Sequence, residues 1–184
     1  QSKMSKRYFD ELIQLKSGPD LLALKLFPNA KEVTESFGMF NAVREHLLRL
    51  TGLKLDQTDV DLICVGDGHT PRTAALFAFR SAWNCVSIDP LLRDKDYSEI
   101  KRLVVHKCKV EDIDIKSDNH VVIVMVHSHA KIKDTLEHIR SSKTRHLITI
   151  PCCVQHEIAN KPYIGYMDSK ILSEKNTVKI WMNI

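Results

Sequence analysis

The chain has 184 residues, 43% of them hydrophobic and 27% charged, which suits one domain with a substantial core and excludes a disordered or fibrous class. No apolar run approaches the ~20 residues that cross a bilayer, the N-terminus lacks an apolar stretch of signal type, and five cysteines, an odd number, draw no disulfide framework. These features point to an intracellular protein, cytoplasmic or nuclear, with no membrane partner. The net charge of +4 favours a polyanionic partner where it clusters, at Lys3, Lys6 and Arg7 or along Lys131, Lys133, Arg140, Lys143 and Arg145. A solvated lysine-rich face has the same composition.

Residues 1–58 read as a helical extension. Phe9, Leu12, Ile13 and Leu15 form a helix stripe that Gly18-Pro19 breaks. Phe40, Val43, Leu47, Leu48 and Leu50 form a second stripe, ended by Gly52. Leu21 to Phe27 and the segment around Val33 fit neither period.

From residue 59 the pattern changes to short apolar runs alternating with helices. The runs are Val60–Val65, Asn84–Ile88, Leu103–Cys108, Val121–Val126 and His146–Ile150, with helices predicted from Thr70 to Arg80 and from Ile132 to Arg140. Pro162–Tyr166 and Thr177–Met182 read as a final antiparallel pair, too close for a helical crossover. Alternating strands and helices imply an α/β, Rossmann-like, mostly parallel seven-stranded sheet with helices on both faces and an antiparallel last strand. No repeat or low-complexity linker divides the chain, so 1–58 and 59–184 are extension and core of a single domain.

Ligands in such sheets bind where the strands end, and the least ordinary residues stand there. After the first strand comes Gly66-Asp67-Gly68-His69-Thr70-Pro71. Glycines permit a sharp turn and close backbone approach, Thr70 is placed to cap the next helix with Pro71 at its first position, and that helix's N–H groups would face an anion. Asp89 ends the second strand, where a carboxylate can accept both hydroxyls of a ribose. A nicotinamide dinucleotide would favour a third glycine in the turn, where this chain has His69-Thr70-Pro71-Arg72.

On Val65-Gly66-Asp67-Gly68, Ser87-Ile88-Asp89 and the strand order out to a final hairpin, the sequence resembles the class I S-adenosylmethionine-dependent methyltransferases over about residues 40–184. The resemblance implies S-adenosylmethionine as cofactor, with Gly66, Asp67, Gly68, His69 and Thr70 around its amino-acid part and Asp89 on the ribose. It also implies an acid after the third strand for the adenine amine. Lys109 holds that place in the simplest alignment, and Glu111 or Asp112 follows.

The acceptor side departs from the family. His127-Ser128-His129 stands after the fourth strand, where many amino-group methyltransferases have Asn/Asp-Pro-Pro-aromatic, and Pro151-Cys152-Cys153-Val154-Gln155-His156 follows the fifth. His127, His129 or His156 suits a general base, and Cys152 or Cys153 suits a nucleophile on a pyrimidine. Cysteine and histidine together suit zinc, although no Cys-x-x-Cys pair is present, and all five side chains equally suit a structural role. Cys-Cys-x-x-His is faintly similar to one group of tRNA ribose methyltransferases, which implies an RNA acceptor. The small size of the domain leaves room for a protein partner in recognition. Two rival readings are a catalytically silent binding or scaffold module of the same fold and a nicotinamide-dependent oxidoreductase.

Overall fold

The computed structural model describes residues 7–152 and 158–184. Val60–Val65 (β1) and His120–Val126 (β5) are apolar at nearly every position because both faces of the sheet are covered there. They pair in parallel. Asn84–Ile88 (β2) and Leu103–His106 (β3) extend the sheet beyond β1, and Arg145–Ile150 (β7), Thr177–Trp181 (β9) and Ile164–Met167 (β8) extend it beyond β5. The seven-stranded order is β3-β2-β1-β5-β7-β9-β8. β9 runs antiparallel to both β7 and β8, and the other pairs are parallel. This is the Rossmann-like arrangement expected from the sequence.

Alternate residues of each strand serve different faces. Leu62 and Cys64 of β1, Val122 and Val124 of β5, and Ile148 and Ile150 of β7 share one core with Phe37, Phe40, Phe77 and Trp83. Ile63, Val65, Ile123, Met125, Leu147 and Trp181 share the other with Ile132. The first face carries Tyr8–Gln14 (α1), Gly18–Ala23 (α2), Ala30–Ala42 (α3) and Arg72–Arg80 (α5). A π turn at Val43–Leu47 leads α3 into Leu48–Thr51 (α4). The second face carries Ile132–His138 (α6).

The N-terminal helices are part of the core. Phe40 and Phe77 rings lie 5.0 Å apart, the Arg80 guanidinium sits 4.1 Å above the Phe40 ring, and Glu11 pairs with Arg80 at 2.8 Å and Arg44 at 3.1 Å. Tyr8, 1% exposed, donates its hydroxyl to Asp168. Burying one such aromatic contributes roughly 1.5–3 kcal/mol.

Several boundaries differ from the sequence expectation. The second helical stripe begins at Ala30 rather than Phe40, because the Asn29 side chain accepts the Glu32 N–H at 3.1 Å and starts the helix there. The helix expected to reach Arg140 ends at His138. Arg145 covers open carbonyls at that end, donating to Leu136 at 2.7 Å and Ile139 at 2.6 Å. The chain then forms Ile139–Ser141 (β6), which pairs in parallel with Ile115–Ser117 (β4) as a small second sheet.

Two further buried groups belong to the fold. Burial raises the Cys64 thiol and pushes Cys85 up to about 12, so both behave as core hydrophobes. His146 on β7 is 1% exposed. Its Nδ1 accepts the Asn183 N–H at 3.3 Å, and its Nε2 lies 3.0 Å from the Thr144 hydroxyl. Burial, with His120 nearby, lowers its pKa to about 4. Among the described residues no helix is long and apolar enough to cross a membrane.

Candidate functional site

The carboxyl ends of β1, β2, β3 and β5 open on one cleft of about 570 Å³, beside the switch point between β1 and β5 where the strand order reverses. Gly66–Gly68, Asp89–Leu91, Cys108–Glu111 and His127–Ala130 line it from the four strand ends, and α3 adds Lys31, Glu32, Glu35 and Ser36.

The glycine turn is required by its geometry. Gly66 has φ +76° and Gly68 φ +93°, a region that other residues enter only at a cost. A Cβ at Gly66 would collide with the Ser128 side chain, and one at Gly68 with the Arg72 guanidinium. The turns after β1 and β5 therefore meet only because residue 66 has no side chain.

Asp89, 7% exposed, accepts the Gly68 N–H at 2.8 Å through one oxygen and the Leu91 N–H at 2.7 Å through the other. Each oxygen keeps a further acceptor position, and the residue lines the cleft. Beside it Leu91 is 65% exposed, a large apolar side chain at the cleft wall.

Asp67 lines the cleft and has a second task within the chain. Its carboxylate accepts the N–H groups of Thr73 and Ala74, both at 3.1 Å, and so caps α5 from within the chain. Burial pushes this carboxyl upward, opposed by those N–H groups and by the charge of Arg72. Thr70 is not the cap. It donates to the Leu26 carbonyl instead, and Pro71 stands before the first helical residue. The helix N-terminus expected to meet an external anion is thus filled by the protein's own. His69 and Thr70 line a neighbouring recess with Lys25, Leu26 and Arg93 rather than the cleft.

The remaining candidates divide. Glu111, in the short turn Val110–Asp112, lines the cleft with Lys109, whereas the exposed Asp112 of the same turn is outside its lining. His129 is exposed and lines the cleft. Cys152 approaches the β5 turn, its Sγ 4.0 Å from the Ser128 carbonyl, without lining the cleft. Cys153 and His156 lie outside the described residues. Among the described residues no three His, Cys, Asp or Glu side chains are grouped to hold a metal ion.

His127 is the most constrained of them. At φ +47°, its Nδ1 lies 3.3 Å from Glu35 Oε1 and its Nε2 2.9 Å from the Lys175 carbonyl. Burial disfavours the imidazolium, but Glu35 and the Lys175 carbonyl outweigh it and raise the pKa above the ordinary histidine value. Burial likewise works against the Glu35 carboxylate, and His127 and Ser173 prevail to lower its pKa. The charged pair ties the β5 end to α3, and both ring nitrogens donate, which leaves His127 no free lone pair for general-base work. Its histidine contribution to stability is complete below the ordinary histidine pKa and is lost as pH rises through the raised one. The glutamate contribution is lost as pH falls through the lowered Glu35 value. An NMR titration is expected to place His127 above the ordinary value, and Glu35→Gln to bring it down; an unchanged His127 titration in that variant would break the link.

Sequence reasoning missed α3's share of the cleft, including Glu32, which pairs with Arg72 at 3.3 Å. The spacing Asn29-Ala30-Lys31-Glu32 is a capping signal that would have opened the helix in the right place.

No protein-family profile matches the chain, and no curated protein does. Solved structures do. The chain is similar to MtNAS in complex with MTA and tNA, with a TM-score of 0.54 at 11% identity, over 96% of this chain and 69% of that one. It is similar also to a variant of MtNAS in complex with S-adenosylmethionine, with a TM-score of 0.53 at 11% identity, over 96% of this chain and 70% of that one. At such identity the likeness establishes the fold and leaves the chemistry to the residues of the site.

Proposed function

We propose, from the class I S-adenosylmethionine-dependent methyltransferase fold that this chain has, that the cleft binds S-adenosylmethionine and that the domain is a methyltransferase. Asp89 carries the reading. It is a buried carboxylate, fixed by two backbone N–H groups, with acceptor positions left at the cleft beside a side-chain-free turn. Such a group suits the paired hydroxyls of a ribose. Leu91 supplies apolar surface for the adenine and Glu111 an acceptor for its amine, while Gly66 and Gly68 bring backbone to the cleft wall beside the amino-acid part. S-adenosylmethionine, when bound, supplies an electrophilic methyl group.

The same geometry speaks against a nicotinamide dinucleotide. A pyrophosphate needs the free N–H groups of the helix N-terminus, and here the Asp67 carboxylate already takes those of Thr73 and Ala74. Its negative charge would also repel a second anion.

For the acceptor we favour RNA, supported by Lys31 and Lys109 at the cleft and by the net charge of +4. We assign removal of the acceptor proton to His129, supported by its exposure at the cleft, whereas His127 has both ring nitrogens committed. That commitment also favours the second reading, a silent module that binds cofactor without turnover.

Calorimetry with S-adenosylhomocysteine and with NAD tests the proposal. S-adenosylhomocysteine is expected to bind, and Asp89→Ala to weaken it by about ten- to a hundredfold, the ~1.5–3 kcal/mol of charged hydrogen bonds to a ribose. Binding of NAD alone would overturn the methyltransferase reading. Cofactor binding without methylation of any RNA would favour the silent module.

A further inference from the structure

A second cavity, of about 210 Å³, lies against the other face of the sheet, beyond the ends of β5, β7 and β9. Met125, Thr149 and Lys179 sit side by side on adjacent strands and form one wall, with Trp181 next along β9 and Ile132 of α6 opposite. Ser128 and Ala130 border both this cavity and the cofactor cleft, so a group bound here lies next to the methyl donor's site.

Four observations specify what would fit. The volume is below the roughly 300–1,000 Å³ of sites that bury drug-sized ligands, which leaves room for one ring system. Thr149 is 3% exposed and its hydroxyl has no hydrogen-bond partner among the described residues, a cost that a polar ligand edge would relieve. Lys161 and Lys179 line the cavity, and no Asp or Glu does among the described residues. The Trp181 indole N–H is already committed to the Asn160 carbonyl at 2.8 Å, so its ring offers apolar surface only. A nucleotide is a flat body with a polar edge joined to an anion, and it matches all of these features.

We infer that this cavity holds a single unstacked nucleotide, its base against Met125, Ile132 and Trp181, its polar edge at Thr149 and its phosphate at Lys161 and Lys179. The inference rests on the proposed RNA acceptor and gives it a location. Unstacked bases are what single-stranded RNA presents to a protein, and lysines at the cavity would hold the strand through its phosphates.

The test uses the full chain, a fluorescein-labelled ten-nucleotide single-stranded RNA of mixed sequence, and the four nucleoside monophosphates. Replacing Lys161→Ala and Lys179→Ala together is expected to weaken RNA binding at least fivefold. It should also flatten the dependence of log K on log salt by about 0.7, the value for one lost phosphate contact on a single strand. Thr149→Val, which keeps the shape, is expected to weaken binding about three- to tenfold with the salt slope unchanged. S-adenosylhomocysteine affinity, unchanged in both variants, separates this proposal from the cofactor reading: its loss in the wild type fails that reading alone. RNA affinity and salt slope unchanged in both variants would overturn the nucleotide site. Monophosphates that shift the Thr149 and Trp181 NMR signals while the strand does not bind would keep the site and assign it to a free nucleotide, overturning the strand.

Discussion

Gly66→Ala is expected to destabilise the domain by about 2–5 kcal/mol and to abolish cofactor binding. Two independent costs add. An alanine held at the left-handed φ of +76° loses about 1–2 kcal/mol against glycine. Its methyl group must also displace the Ser128 side chain, which the β5 turn holds in place, at about 1–3 kcal/mol for overpacking. Urea unfolding checks the sum as a lower midpoint at unchanged slope. Adding Ser128→Gly separates the parts. It should return the steric share and leave the backbone share, so a double variant with full stability would mean that the left-handed turn imposes no strain.

Acid is expected to unfold the protein earlier than its carboxylates alone would dictate, because His146 must stay neutral. With a folded pKa of about 4 and an ordinary value near 6.5, the unfolded chain binds the extra proton between those limits and the folded chain does not. Stability therefore falls as pH drops from about 6.5 to 4, by on the order of 3 kcal/mol in total. Above this window the contribution is constant. Urea midpoints at several pH values, in the wild type and in His146→Gln, measure it: the variant starts lower but loses the histidine share of the slope. Parallel pH profiles for the two proteins would show that His146 titrates normally in the fold.

The fold was legible where burial is two-sided. β1 and β5 are apolar nearly throughout because helices cover both faces, and no other local structure explains such short runs flanked by turn residues. Asp89 was legible through its distance from the glycine turn. The capping by Asp67 was not, because a carboxylate that caps its own helix and one that faces a ligand look alike in sequence. α3 was hidden by Thr34, Glu35 and Ser36, polar residues that are nonetheless buried. Their partners are Lys31, His127, Ser173 and Thr73, one of them, Ser173, more than a hundred residues away. β6 was hidden for a related reason. Nothing local in Ile139–Ser141 favours a strand, which forms because β4 is there to pair with it.

Both borders of the main sheet are short. β3 and β8 have four residues each, so each rim offers few unpaired N–H and C=O groups to a neighbouring molecule. Apolar residues do stand on these rims, Val104 at 53% and Met167 at 75% exposure, but without a long ladder they cannot template an added strand. Brevity at the rims is a known safeguard against edge-to-edge aggregation. The centre of the sheet can thus stay almost wholly apolar without making the molecule a seed for fibres.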